Sequence, residues 1–135
     1  MPKLNRPIHF EIQGENPEKL AKFYSDVFGW VIKKWDSPDM DYWMIMTDDK
    51  DSNNPGINGG LLKRPCPAPA LEQGTNAFTC TMNVESVDDM IKKVVKHGGK
   101  IAMPKFAIAD MAWQAYCVDP ENNVFGLHEE FKKVK

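Results

Sequence analysis

The chain has 135 residues, a length typical of one compact domain, and a chain of this size buries about two-thirds of its unfolded surface without disulfides or a structural metal. Its 17 basic and 19 acidic residues give a net charge of −2 with no basic block, which argues against a nucleic-acid-binding protein. The three cysteines are widely spaced without a CxxC pair, and no apolar run suits a signal peptide or a membrane span, so we expect a cytoplasmic protein without disulfides.

The first half of the chain predicts a strand, a helix and three more strands. Residues 7–12 alternate apolar and polar side chains, which predicts a strand with His9 and Glu11 on its polar face. A helix is predicted over 16–28, because Asn16 can cap its start and Gly29 is a typical stop. The three following strands are predicted at 30–35, 42–47 and 57–63.

The second half predicts the same order of elements. Residues 77–84 alternate like the first strand, with Thr79 and Thr81 on the polar face. Ser86 begins a helix that ends at Gly98 and Gly99. Three strands are predicted after it, at 100–108, 112–118 and 123–129.

The two halves align as a repeat. A shift of 70 residues places Trp43 on Trp113, and a shift of 66 places Gly60 on Gly126. The repeat predicts an α+β fold of two βαβββ modules, at about 6–63 and 76–130, joined by a Pro-rich linker at about 63–75. We expect a curled, roughly eight-stranded mixed sheet that forms a cup, with the helices on its outer face and polar strand faces inside.

Three segments resemble the vicinal-oxygen-chelate superfamily of glyoxalase, bleomycin-resistance and extradiol-dioxygenase-like proteins. They are HFEI in the first strand, FYSDVFGW at the end of the first helix and DPENNVFGLHE at the close. The first and last are most similar to the glyoxalase-related branch. The resemblance implies that residues 1–135 form a single domain of this superfamily.

The resemblance also implies where a metal site would lie. Members that use a metal take four ligands from positions that correspond here to His9, Gly60, Thr79 and Gly126. Only His9 has a side chain suited to a divalent metal, and such a site needs about three protein ligands. We therefore expect no metal and no cofactor. His9, Glu11 and His128 have the composition of a two-histidine, one-carboxylate site, but Glu11 and His128 lie about 7 Å along a strand from the implied positions.

Several residues are candidates for a functional site. His9 is a candidate general acid or base, with Glu11 as its orienting partner, and the alternative is a hydrogen-bonded polar pair facing water. Trp43 and Trp113 are candidates for stacking on a flat ligand, and the alternative is core packing. The remaining candidate ligand-binding residues are Gly60, Thr79, Thr81, Gly126 and His128.

Two classes of function remain open. The first is a metal-independent lyase or isomerase that uses His9 on a small organic substrate, and the second is a non-catalytic protein that sequesters a small molecule. A metal-dependent lactoylglutathione lyase or dioxygenase with relocated ligands is a further alternative. The expected partners are a small molecule and a second copy of the chain in a homodimer, with no nucleic acid and no membrane. Its candidate interface residues are Trp30, Trp35, Met40 and Met111.

Overall fold

The computed structural model describes residues 4–38, 41–73 and 78–132. The chain divides into two compact units, Met1–Pro67 and Ala68–Lys135, and the division falls inside the predicted linker. The interpretation of residues 1–135 as one domain remains a prediction.

Each unit contains one helix and one four-stranded sheet. The elements of the first unit are β1 (Phe10–Gly14), α1 (Pro17–Phe28), β2 (Val31–Lys34), β3 (Tyr42–Met46) and β4 (Gly59–Lys63). Those of the second are β5 (Thr81–Asn83), α2 (Val87–Lys96), β6 (Lys100–Ile108), β7 (Ala112–Val118) and β8 (Val124–Glu130). A short 3-10 turn, Leu71–Gln73, lies in the linker.

The two sheets have the same topology, which confirms the predicted α+β fold of two βαβββ modules. The eight strands are divided between two four-stranded sheets, and the curled cup remains a prediction. Their strand orders are β1-β4-β3-β2 and β5-β8-β7-β6. In each sheet the first and last strands of the module are parallel and the other pairs are antiparallel. Glu11 pairs with Gly60 in the first sheet, and Thr81 pairs with Gly126 in the second. The two glycines are therefore equivalent in the structure, as the alignment of the halves predicts.

Local signals in the sequence explain both helices. The Asn16 side chain accepts a hydrogen bond from the backbone N–H of Lys19, and Gly29 ends α1 in the left-handed conformation at φ 76°. The Ser86 hydroxyl accepts from the N–H of Asp89 at the start of α2. The Glu129 carboxylate of β8 accepts from the N–H of Val87 at 2.8 Å, which ties the helix start to the sheet.

Each helix covers one face of its own sheet. Helix α1 packs against β1, β2 and β4, and α2 packs against β6, β7 and β8. The buried apolar core of the first unit comprises Leu20, Phe23, Tyr24, Val27, Trp43, Ile45 and Leu61. That of the second unit includes Val87, Val94, Ala115, Cys117, Phe125 and Leu127. The opposite face of each sheet, called here the helix-free face, carries the polar side chains of the strands.

Two strands begin at least three residues later than the sequence predicts. β1 begins at Phe10 instead of residue 7, and Ile8 is 81% exposed although the alternation assigns it to the apolar face. The reason is the partner strand: β4 begins at Gly59, which pairs with Phe10, so earlier residues have no ladder partner. β5 begins at Thr81 instead of residue 77. Of the four predicted residues before Thr81, residue 77 lies outside the described part of the chain.

The candidate interface residues differ in their surroundings. Trp30 stacks on Tyr24 at a ring-centroid distance of 5.3 Å, so it belongs to the aromatic packing under α1. Trp35 is 45% exposed and Met111 is 62% exposed, whereas Met40 lies outside the described residues. The homodimer remains a prediction. No helix in the described ranges has the length and apolar character to cross a membrane.

Candidate functional site

Aromatic packing shows which side chains of β1 point toward α1. The Phe10 ring lies 5.8 Å from Trp30, which stacks on Tyr24 of α1, so Phe10 points to the helix side. Because side chains alternate along a strand, Glu11 points to the helix-free face. This confirms the predicted direction of Phe10 and Glu11.

His9 contacts a tyrosine that sequence patterns did not single out. His9 Nε2 lies 2.8 Å from Tyr42 Oη, a hydrogen-bond distance in which the histidine tautomer decides which atom donates. The Tyr42 ring crosses the helix-free face directly above Gly60. A Cβ atom built on Gly60 would lie 1.8 Å from Tyr42 Oη, so the absent side chain of Gly60 is the space that Tyr42 fills.

The Tyr42 phenol keeps its proton at neutral pH. Burial of the phenol, with a smaller effect from the Glu11 carboxylate, raises the pKa of Tyr42 above its ordinary value. Glu11 itself is exposed, and the hydrogen-bond partner of His9 is Tyr42. The structure therefore pairs His9 with a protonated phenol, and the charge of Glu11 acts on that phenol.

The second module carries a different polar group around its equivalent glycine. Gln114 of β7 is 4% exposed, and its Oε1 lies 2.8 Å from His128 Nδ1. Gln114 Nε2 donates to Thr81 Oγ1 over 3.4 Å. A Cβ atom on Gly126 would lie 2.4 Å from Thr81 Oγ1 and 2.8 Å from Gln114 Nε2. Three of the candidate residues, Thr81, Gly126 and His128, are thus brought together by Gln114.

A cavity lies in the second unit, beside the helix-free face. Its volume is about 350 Å³, and Thr79 is one of its lining residues. The other walls are Ala102 and Met103 of β6, Tyr116 of β7 and Val124 of β8. A second cavity of about 440 Å³ in the first unit is lined by residues 4–8 and Ile57. That cavity contains none of the candidate site residues.

The two tryptophans lie on the helix side of their sheets. Trp43 is buried on β3 with Ile45 on the same face, opposite to Tyr42. Trp113 points to the face opposite to that of its neighbour Gln114. The ammonium group of Lys105 lies 4.5 Å from the centre of the Trp113 ring and 2.9 Å from the carboxylate of Asp88 on α2, so the ring lies on the helix side. These positions favour the packing alternative for both residues, and their proposed ligand contacts remain untested.

The four positions implied by the superfamily do not fit a metal ion. Gly60 and Gly126 have no side chains, and the space beside each is filled by Tyr42 or by Thr81 and Gln114. Thr79 is a neutral hydroxyl, which leaves His9 as the sole good ligand among the four. Within residues 4–38, 41–73 and 78–132, no group of three or more His, Cys, Asp or Glu side chains could hold a metal. The relocated site would join His9 and Glu11 of the first unit to His128 of the second, and it remains an untested alternative.

Tyr42, Gln114 and Tyr116 are the residues that sequence reasoning missed. Their alternation with buried neighbours places them on one face of a strand, but the alternation does not say which residue of another strand they meet. The one available signal was the pair of strand glycines, since glycine within a strand often marks a close approach by another group.

Comparison with known proteins identifies the superfamily. Residues 6–127 match the family model described as the Glyoxalase/Bleomycin resistance protein/Dioxygenase superfamily. Among curated proteins, CFP32 of Mycobacterium tuberculosis, which is named as a candidate glyoxylase, is 27% identical over 123 residues. The match covers 90% of this chain and 44% of CFP32, and the protein of the same name from Mycobacterium bovis matches equally. The chain thus spans less than half the length of these curated relatives.

Solved structures share the fold at low sequence identity. A mutant of the fosfomycin resistance protein FosX from Listeria monocytogenes, in complex with Mn(II) and dihydroxypropylphosphonic acid, has a TM-score of 0.72 and 12% identity, and the match covers 95% of this chain and 94% of FosX. A mutant of glyoxalase I from Zea mays has a TM-score of 0.71 and 18% identity, with 94% of this chain and 46% of that one covered. The hypothetical protein SA1046 from S. aureus has a TM-score of 0.67 and 15% identity, with coverage of 95% and 99%. With the family model matching from residue 6 to residue 127, the chain belongs to the glyoxalase/bleomycin resistance protein/dioxygenase superfamily.

Proposed function

We propose that this protein binds a small organic molecule in the cavity of its second unit. The observation that carries the proposal is the cavity itself, whose volume of about 350 Å³ lies in the range of small-molecule sites. Its walls combine the apolar side chain of Met103 with the phenol ring of Tyr116 and the hydroxyl of Thr79. Such a lining suits a partly apolar ligand that is oriented by a small number of hydrogen bonds.

Binding in this proposal needs no resident metal. The donor set at the implied ligand positions is one histidine, one threonine and two glycines, which cannot hold a divalent ion in a fixed geometry. Met103 adds an adaptable apolar wall, because its unbranched side chain can adjust to ligands of different shape.

A thermal-shift screen of metabolites, run with a divalent ion and with a chelator, tests the proposal. A ligand that binds the folded state raises the melting temperature, and we expect the shift to be the same in both conditions. Ala102→Trp should abolish the shift because it fills the cavity, whereas Ala70→Trp, at an exposed position that does not line the cavity, should retain it. An unchanged ligand affinity in Ala102→Trp would disprove binding in this cavity.

Proton transfer by His9 is the second candidate function. It is supported by the hydrogen bond of 2.8 Å to Tyr42, whose raised pKa keeps a proton beside the imidazole at neutral pH. In a metal-independent isomerase or lyase, His9 would take a proton from a substrate carbon as general base and return it as general acid.

Product analysis separates this enzyme from a sequestration protein. After prolonged incubation of the protein with the metabolites of the screen, any turnover by His9 should be lost in His9→Ala and reduced in Tyr42→Phe. A ligand recovered chemically unchanged from the wild-type protein would instead support sequestration without catalysis.

A further inference from the structure

The strongest unassigned feature is the chain of hydrogen bonds that holds His128. Gln114 and His128 are directly opposite each other on β7 and β8, and Gln114 Oε1 lies 2.8 Å from His128 Nδ1. The other end of the same amide donates to Thr81 Oγ1. Gln114 is almost completely buried, so its amide is held on both sides by these partners.

The orientation of the amide determines where the proton of His128 lies. An amide oxygen can only accept a hydrogen bond, so Nδ1 must carry the hydrogen that it donates to Gln114 Oε1. In a neutral imidazole the other nitrogen is then an acceptor. Within the described part of the chain, His128 Nε2 has no protein hydrogen-bond partner.

The position of His128 relates it to the cavity. Val124, Gly126 and His128 point to the same face of β8, and Tyr116, a cavity wall, pairs with Gly126. His128 therefore lies one pleat beyond the Gly126–Tyr116 pair, about 7 Å along the strand. A small molecule whose apolar end lies in the cavity can span this distance of about 7 Å and bring a polar group at its other end to His128.

We propose that Gln114 is a positioning residue that fixes His128 with its hydrogen on Nδ1, and that Nε2 accepts a hydrogen bond from a hydroxyl-bearing ligand. The ligand class is a small organic molecule with an apolar or aromatic part for Met103 and Tyr116 and a hydroxyl group for His128. This assignment of the ligand rests on the proposed function, whereas the tautomer of His128 does not depend on it.

Nitrogen-15 NMR of the ligand-free protein tests the positioning role. The chain has three histidines, so His9→Ala and His97→Ala variants assign the ring signals. At about pH 8, above the ordinary imidazole pKa of roughly 6.5, we expect the signals of His128 to show the hydrogen on Nδ1. In Gln114→Leu they should move toward the tautomer mixture of a free imidazole, while Thr81→Val, which keeps Gln114, should retain the hydrogen on Nδ1.

Two outcomes would overturn the positioning role. The first is a dominant hydrogen on Nε2, which would mean that the Gln114 amide has the opposite orientation. The second is an unchanged tautomer in Gln114→Leu. If Gln114→Leu does not fold, Gln114→Met provides the same comparison, because it keeps the length of the side chain but lacks the amide oxygen that accepts from Nδ1.

Phenol and anisole provide the ligand test, because they share a ring and differ in the hydroxyl hydrogen. We expect phenol to shift the Nε2 signal of His128 and to bind about fivefold more tightly than anisole, the effect of one net hydrogen bond. Equal shifts of the Met103 methyl by both compounds, with His128 unchanged, would overturn the hydroxyl assignment and leave the proposed cavity supported. An unperturbed Met103 methyl with both compounds would contradict the cavity.

Discussion

Replacing Gly60 with alanine tests whether the glycine exists to make room for Tyr42. The new Cβ atom would lie 1.8 Å from Tyr42 Oη and 2.1 Å from its Cζ, far inside contact distance. The Tyr42 ring must therefore swing away, which breaks its hydrogen bond to His9. Loss of that bond costs about 1 kcal/mol, and strained packing adds about 1–3 kcal/mol when the ring cannot move freely.

The half-buried position of Tyr42 keeps the expected cost near the lower end of this range. The tip of the ring can move toward solvent, so we expect Gly60→Ala to lower the free energy of unfolding by about 1–3 kcal/mol. For a chain of this size this is a fall in melting temperature of roughly 3–12 °C. The His9 ring signals should change at the same time, because the imidazole loses its partner.

A double-mutant cycle in urea unfolding provides the assay. In a Tyr42→Ala background the obstacle is gone, so Gly60→Ala should cost less than about 0.5 kcal/mol. Gly59→Ala is the matched control, because its Cβ atom would lie 2.4 Å from the backbone oxygen of Phe10, which Tyr42→Ala does not remove. The reasoning is refuted if Gly60→Ala has the same cost in both backgrounds.

Four further predictions concern metal content, assembly, alkaline stability and the start of α2. Elemental analysis of the dialysed protein should find no stoichiometric zinc, nickel, iron or manganese, because the implied ligand positions hold too few donors. One equivalent of such a metal per chain, lost in His9→Ala, would contradict this prediction. Light scattering should give a mass about twice the 15.4 kDa of the chain, because exposed Trp35 and Met111 mark a candidate interface. A mass close to that of a single chain would reject the homodimer. Burial raises the pKa of the Cys117 thiol from 9.0 to about 11, so the unfolded thiol loses its proton first. The free energy of unfolding should therefore fall as pH rises from about 9 to 11, with a smaller fall in Cys117→Ala. Glu129→Ala should lower the free energy of unfolding by about 1 kcal/mol, because it removes the acceptor of the hydrogen bond from the buried Val87 N–H. Glu130→Ala, at an exposed neighbouring position, is the control and should leave the free energy of unfolding nearly unchanged.

Most of the fold could be predicted because its signals are local. Asn16, Gly29 and Ser86 mark helix boundaries through contacts within a few residues, and the structure shows each of these caps. The strands at 100–108 and 112–118 have the predicted bounds, because Gly98 and Gly99 precede the first and Asp119 and Pro120 follow the second, and residues of these types mark turns. The start of β1 could not be predicted from its own pattern, since a strand extends only as far as its partner does, and β4 begins at Gly59.

The candidate site could be predicted in part. The sequence pointed to His9, Thr81, Gly126 and His128 as polar or small positions on the polar faces of their own strands, and the structure brings the last three together through Gln114. It named Trp43 and Trp113 as candidate ligand contacts with core packing as the alternative, and strand alternation in the structure turns both toward the helix side, which favours packing.

The sequence by itself determined the repeat, the helix boundaries and the weakness of the metal-ligand set, because each depends on residue identity or on neighbours within one or two turns. The tertiary structure alone decided which side chains meet across strands. His9 reaches Tyr42, and Gln114 reaches Thr81, over 33 residues of sequence in each case. Such contacts depend on the register between strands, and register is a property of paired segments that no single segment encodes.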